Sequence, residues 1–391
     1  MSLKEPPIDF FPSVIDKTTP RPTRVLHFVS GGFSGATQVA IDLVRASLGR
    51  TDIQPLLVLR RKRQTPTTRY NELANSGVPL ETVTGALNVL SIWQLAQVCK
   101  RFQPDVLVAH GFPEHILGRH AGVLAGVPRL IHVEHNARER YSWLRLQQAR
   151  WLAKRTEHIV GVSDGVKASL LSLGFPADRV MSIPNGIDLE RFIPPHPIPL
   201  LKREKAIVMA ARFAKQKDHL TLIKAVAKLI QSGYPDVRLY LAGGGQQHEQ
   251  LMAQALVQQL GIAQSVEFLG HHPDMPGLLQ RCAICVLSTH YEGFGLAVVE
   301  GMAAGCLTIA SDVVGVQEII NTGVDGYLFP TGNSSTLATY LAQAFENLEA
   351  MQSIANQGQQ TAKLRYSRQR MQADYMSLIR PEPKSLVLET K

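Results

Sequence analysis

Residues Ala283 to Gly305 read Ala-Ile-Cys-Val-Leu-Ser-Thr-His-Tyr-Glu-Gly-Phe-Gly-Leu-Ala-Val-Val-Glu-Gly-Met-Ala-Ala-Gly. The first five residues suit a buried strand, and two glycines precede an apolar segment that suits a helix. A helix N-terminus offers unpaired N–H groups and a positive dipole end, so this strand–loop–helix predicts a phosphate site. Glu292 and Glu300 lie eight positions apart, just over two helical turns, so we expect them to have separate functions.

Short apolar runs alternate with helical segments on both sides of this stretch. Most are apolar on both faces, as inner strands of parallel sheets are. In the second half, strands are predicted at Ala206–Ala211, Arg238–Ala242, Val266–Leu269, Ala283–Leu287, Leu307–Ser311 and Gly326–Phe329. In the first half, they are predicted at Val25–Ser30, Gln54–Leu59, Val106–His110, Arg129–His135, His158–Val162 and Arg179–Ile183. Two such series predict an α/β protein with two facing, doubly wound, Rossmann-like domains that bind ligands in the cleft between them.

A proline-rich segment marks the boundary between the two domains. Ile193-Pro-Pro-His-Pro-Ile-Pro199 suits neither a helix nor an inner strand. The predicted organisation is a loose N-terminal arm at 1–22, a first domain at 23–192, a linker at 193–204, a second domain at 205–365, and a C-terminal segment at 366–391. That last segment is predicted to form a helix that returns toward the first domain and then a tail.

The charge of the chain is unevenly distributed. The sequence has 391 residues and a formal net charge of +9. Residues 1–195 hold 24 Lys and Arg against 16 Asp and Glu, so +8 of this charge lies in the first half. An anionic substrate, an anionic membrane surface or nucleic acid would explain this excess. No helix-turn-helix, zinc-finger or aromatic–basic signature occurs, so nucleic acid is not an expected partner.

The cysteines and the longest apolar stretches point to a cytoplasmic globular enzyme. Uncharged stretches are broken by glycine and polar residues, so no secretory signal or transmembrane helix is expected. The pair Cys282 and Cys285 has no second pair to complete a zinc site, and we interpret both as core side chains of a strand. Few, irregularly spaced cysteines fit a reducing compartment.

The segment from Glu292 closely resembles the Glu-x7-Glu motif of the retaining family-4 glycosyltransferases, Glu-Gly-Phe-Gly-Leu-x-x-x-Glu-(Ala/Gly)-Met-Ala-x-Gly. Other segments match this family in order. They are Val162-Ser-Asp164, Ile183-Pro-Asn-Gly-Ile-Asp188, Arg191-Phe192, Ala211-Arg-Phe-Ala-Lys-Gln-Lys-Asp218, Ser311-Asp-Val-Val-Gly-Val-Gln-Glu318 and Gly326-Tyr-Leu-Phe329. The resemblance runs from about Val25 to Phe329. It implies the GT-B fold, an acceptor site in the first domain and a nucleotide-sugar site in the second.

The resemblance implies how the donor diphosphate is held. Arg212 and Lys217 would neutralise the phosphates, which leave with additional negative charge. Gly32, in the glycine-rich turn of the first domain, would close over them from the acceptor side. The amides that would hold the same phosphates belong to Gly293, Phe294, Gly295 and Leu296. The donor is a co-substrate, most simply a UDP-sugar with a GDP-sugar as the alternative, and no resident cofactor is expected.

The resemblance also implies which residues contact the donor sugar, the ribose and the base. Glu300 would accept hydrogen bonds from the ribose hydroxyls and Glu292 from the donor sugar. His135 resembles the family histidine near the anomeric carbon, and His110, at the end of the preceding strand, would face the same cleft. His271 lies where related enzymes line the nucleotide base. With Arg212 and Lys217, the residues His135 and Glu292 form the expected catalytic set.

The mechanism that the family implies needs no protein nucleophile. The leaving phosphate would help to deprotonate the acceptor hydroxyl, and the configuration would be retained. Asp-x-Asp, the metal-chelating motif of the other large glycosyltransferase fold, is absent from the sequence. We therefore expect no metal ion in the site.

The sequence departs from the family pattern in two places. Cys306-Leu307 occupy positions where a small residue and proline are frequent, and Val314 replaces a common glycine. The second change would narrow the donor-sugar pocket and leaves the identity of the donor open.

Other functions share this architecture. A sugar-nucleotide epimerase or phosphorylase would have the same two domains, because a fold alone does not determine a function. A degenerate, non-catalytic sugar-nucleotide-binding protein is the alternative from another class. The complete set of expected site residues favours a transferase that acts on a glycan or lipid-linked acceptor.

The basic first half also suits peripheral contact with an anionic membrane on the inner face of the plasma membrane. In the segment Tyr141–Arg155, four apolar residues are expected on one side of a helix: Trp143, Leu144, Trp151 and Leu152. The surrounding and nearby cations are Arg60-Arg-Lys-Arg63, Arg69, Arg138, Arg140, Arg145, Arg150, Lys154 and Arg155. The alternative is a core-packing helix with a solvated basic edge.

Overall fold

The computed structural model describes residues 21–63, 65–138 and 141–380. Most of the predicted N-terminal arm, the C-terminal tail after residue 380 and the predicted basic residue Arg140 lie outside the described residues.

The first domain is built around one parallel sheet. Its strands are β1 (Thr23–Ser30), β2 (Ile53–Arg61), β3 (Leu80–Thr84), β4 (Val106–His110), β5 (Arg129–Glu134), β6 (His158–Gly161) and β7 (Val180–Ser182). Its helices are α1 (Gly35–Ser47), α2 (Thr67–Ala74), α3 (Asn88–Phe102), α4 (Glu114–Ala125), α5 (Trp143–Ala153), α6 (Asp164–Ser172) and α7 (Leu189–Phe192). The strand order is β3-β2-β1-β4-β5-β6-β7. The six predicted strands are confirmed. The sequence missed β3, a half-exposed edge strand that includes Glu81 and two threonines.

The second domain has a smaller parallel sheet. Its strands are β8 (Glu204–Ala210), β9 (Arg238–Ala242), β10 (Val266–Gly270), β11 (Cys282–Leu287), β12 (Leu307–Ser311) and β13 (Tyr327–Phe329). The strand order is β10-β9-β8-β11-β12-β13. Its helices are α8 (His219–Gln231), α9 (Gln247–Gln259), α10 (Met275–Arg281), α11 (Leu296–Ala303), α12 (Ser334–Glu346) and α13 (Leu348–Arg365). All six strands predicted in this half are confirmed. Two doubly wound, Rossmann-like domains establish the predicted GT-B fold.

The strand order places the ligand crevice in both domains. The direction in which successive strands are added to the sheet reverses between β1 and β4 in the first sheet and between β8 and β11 in the second. At such a switch point, the loops leave neighbouring strands toward opposite faces of the sheet, which opens a crevice at their carboxyl ends. The two crevices face each other across the cleft.

Helix α11 packs closely on strand β11. Gly295, with φ of 93°, begins the helix in a left-handed conformation that glycine adopts readily. A Cβ atom at Gly301 would lie 2.7 Å from the Sγ atom of Cys285 on β11, so the helix approaches the strand because Gly301 has no side chain. Val298, Val299 and the other buried residues of α11 lie between the sheet and α13. This packing fixes the start of α11 relative to the end of β11.

Local predictions around α6 and the cysteines have mixed outcomes. Ser163 caps α6, because its Oγ accepts a hydrogen bond from the amide of Val166 at 3.0 Å. The sequence predicts an apolar stripe on this helix that consists of Val166, Leu170, Leu171 and Leu173. Leu171 is instead exposed. The pair Cys282 and Cys285 is buried and reduced, as are Cys99 and Cys306, which agrees with the core interpretation.

The C-terminal helix α14 (Arg368–Ile379) lies against the first domain. The guanidinium of Arg129 donates hydrogen bonds to the carbonyls of Leu378 and Ile379, both at 2.6 Å. The side chain of Gln372 donates to the carbonyl of Asp42 at 3.0 Å. Within the described residues, no helix combines the length and apolar character needed to cross a membrane.

Candidate active site

A cavity of about 350 Å³ opens between the two domains at their switch points. The first domain lines it with Ser34–Ala36 at the start of α1, with His135 and Asn136 after β5, and with Asn185. The second domain contributes the residues after β8, the end of β11 and the start of α11. These are Ala210–Arg212, Gln216, Lys217, Leu287, Glu292–Ala297 and Glu300.

The second-domain wall of the cavity carries the charges. Lys217 Nζ forms an ion pair with Glu292 Oε1, and both side chains are largely buried. Arg212 also lines this cavity and is exposed. In this arrangement, one carboxylate balances the ammonium group, and Arg212 is available to an anionic ligand.

The loop that carries Lys217 is attached to the loop that carries Glu292. The side-chain amide of Gln216 donates to the carbonyl of Tyr291 at 2.6 Å, and the amide of His290 donates to the carbonyl of Gln216 at 2.9 Å. These bonds hold the ammonium and the carboxylate at a fixed separation. The segment Ala211–Asp218, which carries Arg212 and Lys217, and the Glu-x7-Glu segment therefore form one structural unit, although Lys217 and Glu292 are 75 residues apart in sequence.

At Gly293 the two walls of the cavity approach each other closely. A Cβ atom at this position would collide with the backbone carbonyl of His135, so only glycine permits the present approach. Gly315 approaches from the other side, where a Cβ atom would lie 2.7 Å from the carbonyl oxygen of Gly293. The loop that begins α11 is therefore confined between the end of β5 and the loop after β12.

Glu300 lies in α11 with its carboxyl group on the cavity wall. Burial raises the pKa of Glu300 from its usual value of 4.5 to about 7, and Arg191 opposes this shift. Near neutral pH, the carboxyl group is therefore present in both protonation states. It can accept hydrogen bonds from hydroxyl groups when ionised, and it can also donate one when protonated.

Three histidines on the first-domain wall, His27, His110 and His135, form a row that we call the histidine row. His27 Nδ1 lies 3.1 Å from His110 Nε2, and His110 Nδ1 lies 3.4 Å from His135 Nε2. The row connects β1, β4 and the end of β5, which are neighbours in the sheet. His135 lines the cavity, and the other two lie behind it in the core.

Every member of the histidine row is neutral near pH 7. Burial lowers the pKa of His27 and of His135 to about 3. It lowers the pKa of His110 well below its usual range, with a further contribution from the two neighbouring rings. The first-domain wall therefore presents polar but uncharged groups to the cavity.

Asn185 is a cavity residue that the sequence placed in a matching motif without assigning a function. Its side chain is 4% exposed, and its Oδ1 atom has no hydrogen-bond partner among the described residues. A buried polar atom without a partner is costly, which favours a role in contacting a ligand. The motif Pro184-Asn-Gly186 was the signal that could have identified it.

Several residues expected at the site lie elsewhere. Gly32 and His271 are exposed and do not line the cavity, and His110 reaches it only through His135. Val314 was expected to narrow the donor-sugar pocket. Its side chain instead packs toward Gly165 of the first domain, where an added Cβ atom would collide with it. The remaining predicted residues all line the cavity: His135, Arg212, Lys217, Glu292, Gly293, Phe294, Gly295, Leu296 and Glu300.

A second buried cluster, behind the end of β5, has the composition of a metal site. It contains His115, His132 and Glu134. The guanidinium of Arg119 lies 2.7 Å from His115 Nδ1, so a neutral His115 carries its proton on Nε2, the atom that faces the cluster. Burial lowers the pKa of Arg119 to about 10, but it remains a cation at neutral pH. A protonated nitrogen beside a buried cation does not fit a metal ion, so we interpret this cluster as a structural network.

Two family models match the chain on either side of the linker. Residues 33–191 match Glycosyltransferase Family 4, and residues 195–361 match Glycosyl transferases group 1. The boundary between the two matches falls within the proline-rich segment.

Curated relatives include bacterial glycosyltransferases. EpsD of Bacillus subtilis, named as a glycosyltransferase, is 32% identical over 56% of this chain and 60% of its own length. A galactosyltransferase of Escherichia coli, named for UDP-Gal and α-D-GlcNAc-diphosphoundecaprenol, is 25% identical over 66% of this chain and 70% of its own length. The lipopolysaccharide core glycosyltransferase LpsE of Rhizobium meliloti is 23% identical over 92% of this chain and 100% of its own length.

Among solved structures, HepE of Anabaena in complex with UDP and glucose has a TM-score of 0.80 and 22% identity. The superposition covers 91% of this chain and 99% of HepE. At this level of identity, the comparison establishes the fold.

Proposed function

The chain belongs to the GT-B glycosyltransferases, and from that premise we propose that it is a retaining hexosyltransferase. It would move a sugar from a nucleotide-sugar donor to a hydroxyl group of a glycan or lipid-linked acceptor. The observation that supports this best is the assembly of Arg212, the Lys217–Glu292 pair and the start of α11 in one interdomain cavity.

The second-domain wall suits a nucleoside diphosphate. Arg212 and Lys217 supply two cations, and Gly293 and Gly295 leave backbone N–H groups uncovered at the start of α11. Cations and N–H groups of the protein that are already in place before the reaction stabilise the negative charge that develops on the departing phosphate. Glu300 would hold the ribose hydroxyls, which lie next to the phosphates in a nucleotide.

The proposed reaction is a front-face substitution. The bond between the anomeric carbon and the phosphate oxygen breaks, and a bond to the acceptor oxygen forms on the same face of the sugar. The proton of the acceptor hydroxyl passes to the departing phosphate. Glu292 is held by Lys217, and we assign it to hydrogen bonding with the donor sugar, because a carboxylate neutralised in an ion pair is a weak nucleophile.

We propose a UDP-sugar as the donor. The Escherichia coli relative is named for UDP-Gal, and the Anabaena structure holds UDP and glucose. A GDP-sugar is the alternative donor. The sequence lacks Asp-x-Asp, and the two cations would perform the role of a chelated metal ion.

The first test is a thermal-shift screen of UDP, GDP and their sugar conjugates, followed by transfer assays with and without EDTA. A donor at about a hundredfold its Kd should stabilise the fold by roughly 2.7 kcal/mol. We expect stabilisation by UDP-sugars, transfer that persists in EDTA and a product with the anomeric configuration of the donor. Inversion would contradict the retaining mechanism, and conversion of the donor into a sugar with the opposite configuration at a ring carbon, without transfer, would favour the epimerase class.

An exposed apolar and basic surface on the first domain favours a lipid-linked acceptor. Trp143, Leu144 and Trp151 on α5 are 76%, 59% and 43% exposed. Leu152, predicted on the same side, is fully buried, because the buried face of α5 lies on the opposite side from Trp143. The α3 residue Trp93 is also exposed.

The cations that the sequence predicts for this surface divide into exposed and structural groups. The guanidinium of Arg155 lies 3.9 Å from the ring centre of Trp151. Arg60 is buried in an ion pair with Glu114, and Arg150 donates to the carbonyl of Leu173, so neither is part of the exposed charge. The exposed cations are Arg61, Arg63, Arg69, Arg138, Arg145, Lys154 and Arg155.

We propose that this surface holds the enzyme on the anionic inner face of the plasma membrane from the cytoplasm. Each basic residue near such a surface contributes about 1 kcal/mol, and salt screens the attraction. The protein should therefore sediment with vesicles that contain anionic lipid and be released by salt. A double substitution of Trp143 and Leu144 by Ser should weaken sedimentation, whereas replacement of the exposed Leu251 on α9 by Ser should not. Equal recovery with neutral and anionic vesicles would contradict the membrane proposal.

A further inference from the structure

The hydrogen bonds of the histidine row constrain where its protons lie. Each contact joins two ring nitrogens, so one nitrogen must donate and the other accept. All three rings are neutral, and each therefore carries one N–H group. The row consequently has two self-consistent states, in which every N–H points either toward the cavity or away from it.

The inner end of the row distinguishes these two states. His27 Nε2 is buried and has no partner among the described residues. If the protons pointed inward, His27 Nε2 would carry an N–H group without an acceptor. In proteins, buried N–H groups without partners are rarer than acceptors without donors. The preferred state therefore leaves His27 Nε2 as a bare acceptor and places the proton on Nδ1.

The outward direction then follows at each contact. His27 Nδ1–H donates to His110 Nε2, and His110 Nδ1–H donates to His135 Nε2. His135 keeps its proton on Nδ1, the ring nitrogen that no described group hydrogen-bonds. We propose that His27 and His110 are positioning residues that fix the tautomer of His135, so that it presents an N–H donor to the cavity.

This assignment defines the chemistry of His135. With Nε2 accepting from His110 and Nδ1 protonated, the neutral ring of His135 has no free lone pair for a ligand, so it acts as a hydrogen-bond donor and not as a general base. Its partner would be a ligand oxygen, such as a sugar hydroxyl or a phosphate oxygen. Only this last step rests on the proposed function.

The test is nitrogen NMR of the ligand-free protein labelled with ¹⁵N in its histidine rings. Substitution of one histidine at a time would assign the signals. We expect the Nδ1 signals of His27, His110 and His135 to be those of protonated nitrogens, and the Nε2 signals to be those of bare nitrogens. A proton on Nε2 of His135 would overturn the proposal, whether or not the protein transfers sugar.

Two variants of equal size test the coupling. His110→Asn keeps an N–H donor close to the position of Nδ1, and His110→Leu removes it. In His110→Leu, the Nε2–H tautomer of His135 should appear, because the bond that fixed the tautomer is gone. His110→Asn should retain Nδ1–H. A purely structural role would leave the tautomer of His135 the same in both variants, which would contradict the proposal.

Activity provides a second measurement. Loss of one ordinary hydrogen bond should lower kcat in His110→Leu by roughly threefold to tenfold, and His110→Asn should restore most of it. If His110→Leu does not fold, the tautomers of the wild-type protein still decide the question. If the wild-type tautomers are as expected but no sugar is transferred, the proposed function fails and the assignment of the histidine row remains.

Discussion

The second-domain wall of the cleft is charged, whereas the first-domain wall is polar and neutral. Lys217, Glu292 and Arg212 form the charged side. On the other side, burial keeps His135 uncharged. The difference matches the two parts of the proposed donor, because a diphosphate needs cations and a sugar needs hydrogen bonds.

The largest expected effect is on the charged wall. Lys217→Ala should lower kcat/KM by roughly a hundredfold to a thousandfold, the loss typical when one donor to a developing negative charge is removed. The matched control is Lys215→Ala, because Lys215 is exposed on the same loop and does not line the cavity. Steady-state kinetics would compare the two variants. Similar losses in both would show that only the overall charge of the loop matters.

The substitution Glu292→Gln tests the charge balance of the same wall. Removing the carboxylate leaves the Lys217 ammonium unbalanced, so UDP should bind more tightly while sugar transfer falls. Calorimetry with UDP and a transfer assay would separate the two effects. Weaker UDP binding in this variant would show that Glu292 positions Lys217 more than it opposes the phosphates.

An intermediate effect is expected at Glu300, whose pKa is raised to about 7 by burial. Because the ionised carboxylate is the better acceptor for ribose hydroxyls, UDP affinity should rise with pH through this value. Glu300→Gln should weaken UDP binding by roughly tenfold, the difference between a charged and a neutral acceptor. It should also remove that part of the pH dependence. Calorimetry of both proteins between about pH 6 and about pH 8 would measure this, with titration of UDP itself common to both.

The carboxyl group of Glu300 also makes the stability of the fold depend on pH. The folded-state pKa of Glu300 lies above its usual value of 4.5, so the folded protein binds this proton more tightly than the unfolded chain does. Stability relative to Glu300→Gln should therefore fall as the pH rises from about 4.5 to about 7 and then level off. A Tm of the wild-type protein that rises relative to that of Glu300→Gln over this pH range would contradict the assigned pKa shift.

The smallest effect is expected where the two domains meet outside the cavity. Glu318 accepts hydrogen bonds from the amides of Asp164, at 2.9 Å, and Gly165, at 3.4 Å, at the N-terminus of α6. Glu318→Ala should cost about 1 kcal/mol of unfolding free energy, as loss of a helix cap does. Glu318→Gln should cost less, and kcat/KM should change only a few-fold. Urea unfolding would measure both variants, and a larger cost for Gln than for Ala would contradict the capping role.

Twelve strands and two Rossmann-like domains followed from the sequence, because buried parallel strands are continuous apolar runs, and the resemblance to a known family added the GT-B fold. The strand β3 was missed because a half-exposed edge strand carries polar residues that interrupt this signal. Most of the residues predicted for the site line one cavity, since they lie in the loops and helix starts that follow predicted strands. The exceptions, Gly32 and His271, lie in loops whose conformation depends on contacts that no local pattern records.

Local sequence patterns were sufficient to predict the two sheets and most residues of the charged wall, because strand periodicity and the Glu-x7-Glu segment are local patterns. The pairing of side chains emerges only in the folded chain. Folding joined Lys217 to Glu292 and placed His27, never singled out in the sequence, behind His110 and His135. Pairing and burial depend on residues that are distant along the chain. For the same reason, the neutrality of one wall and the near-neutral pKa of Glu300 arise only when the chain folds and excludes water from these groups.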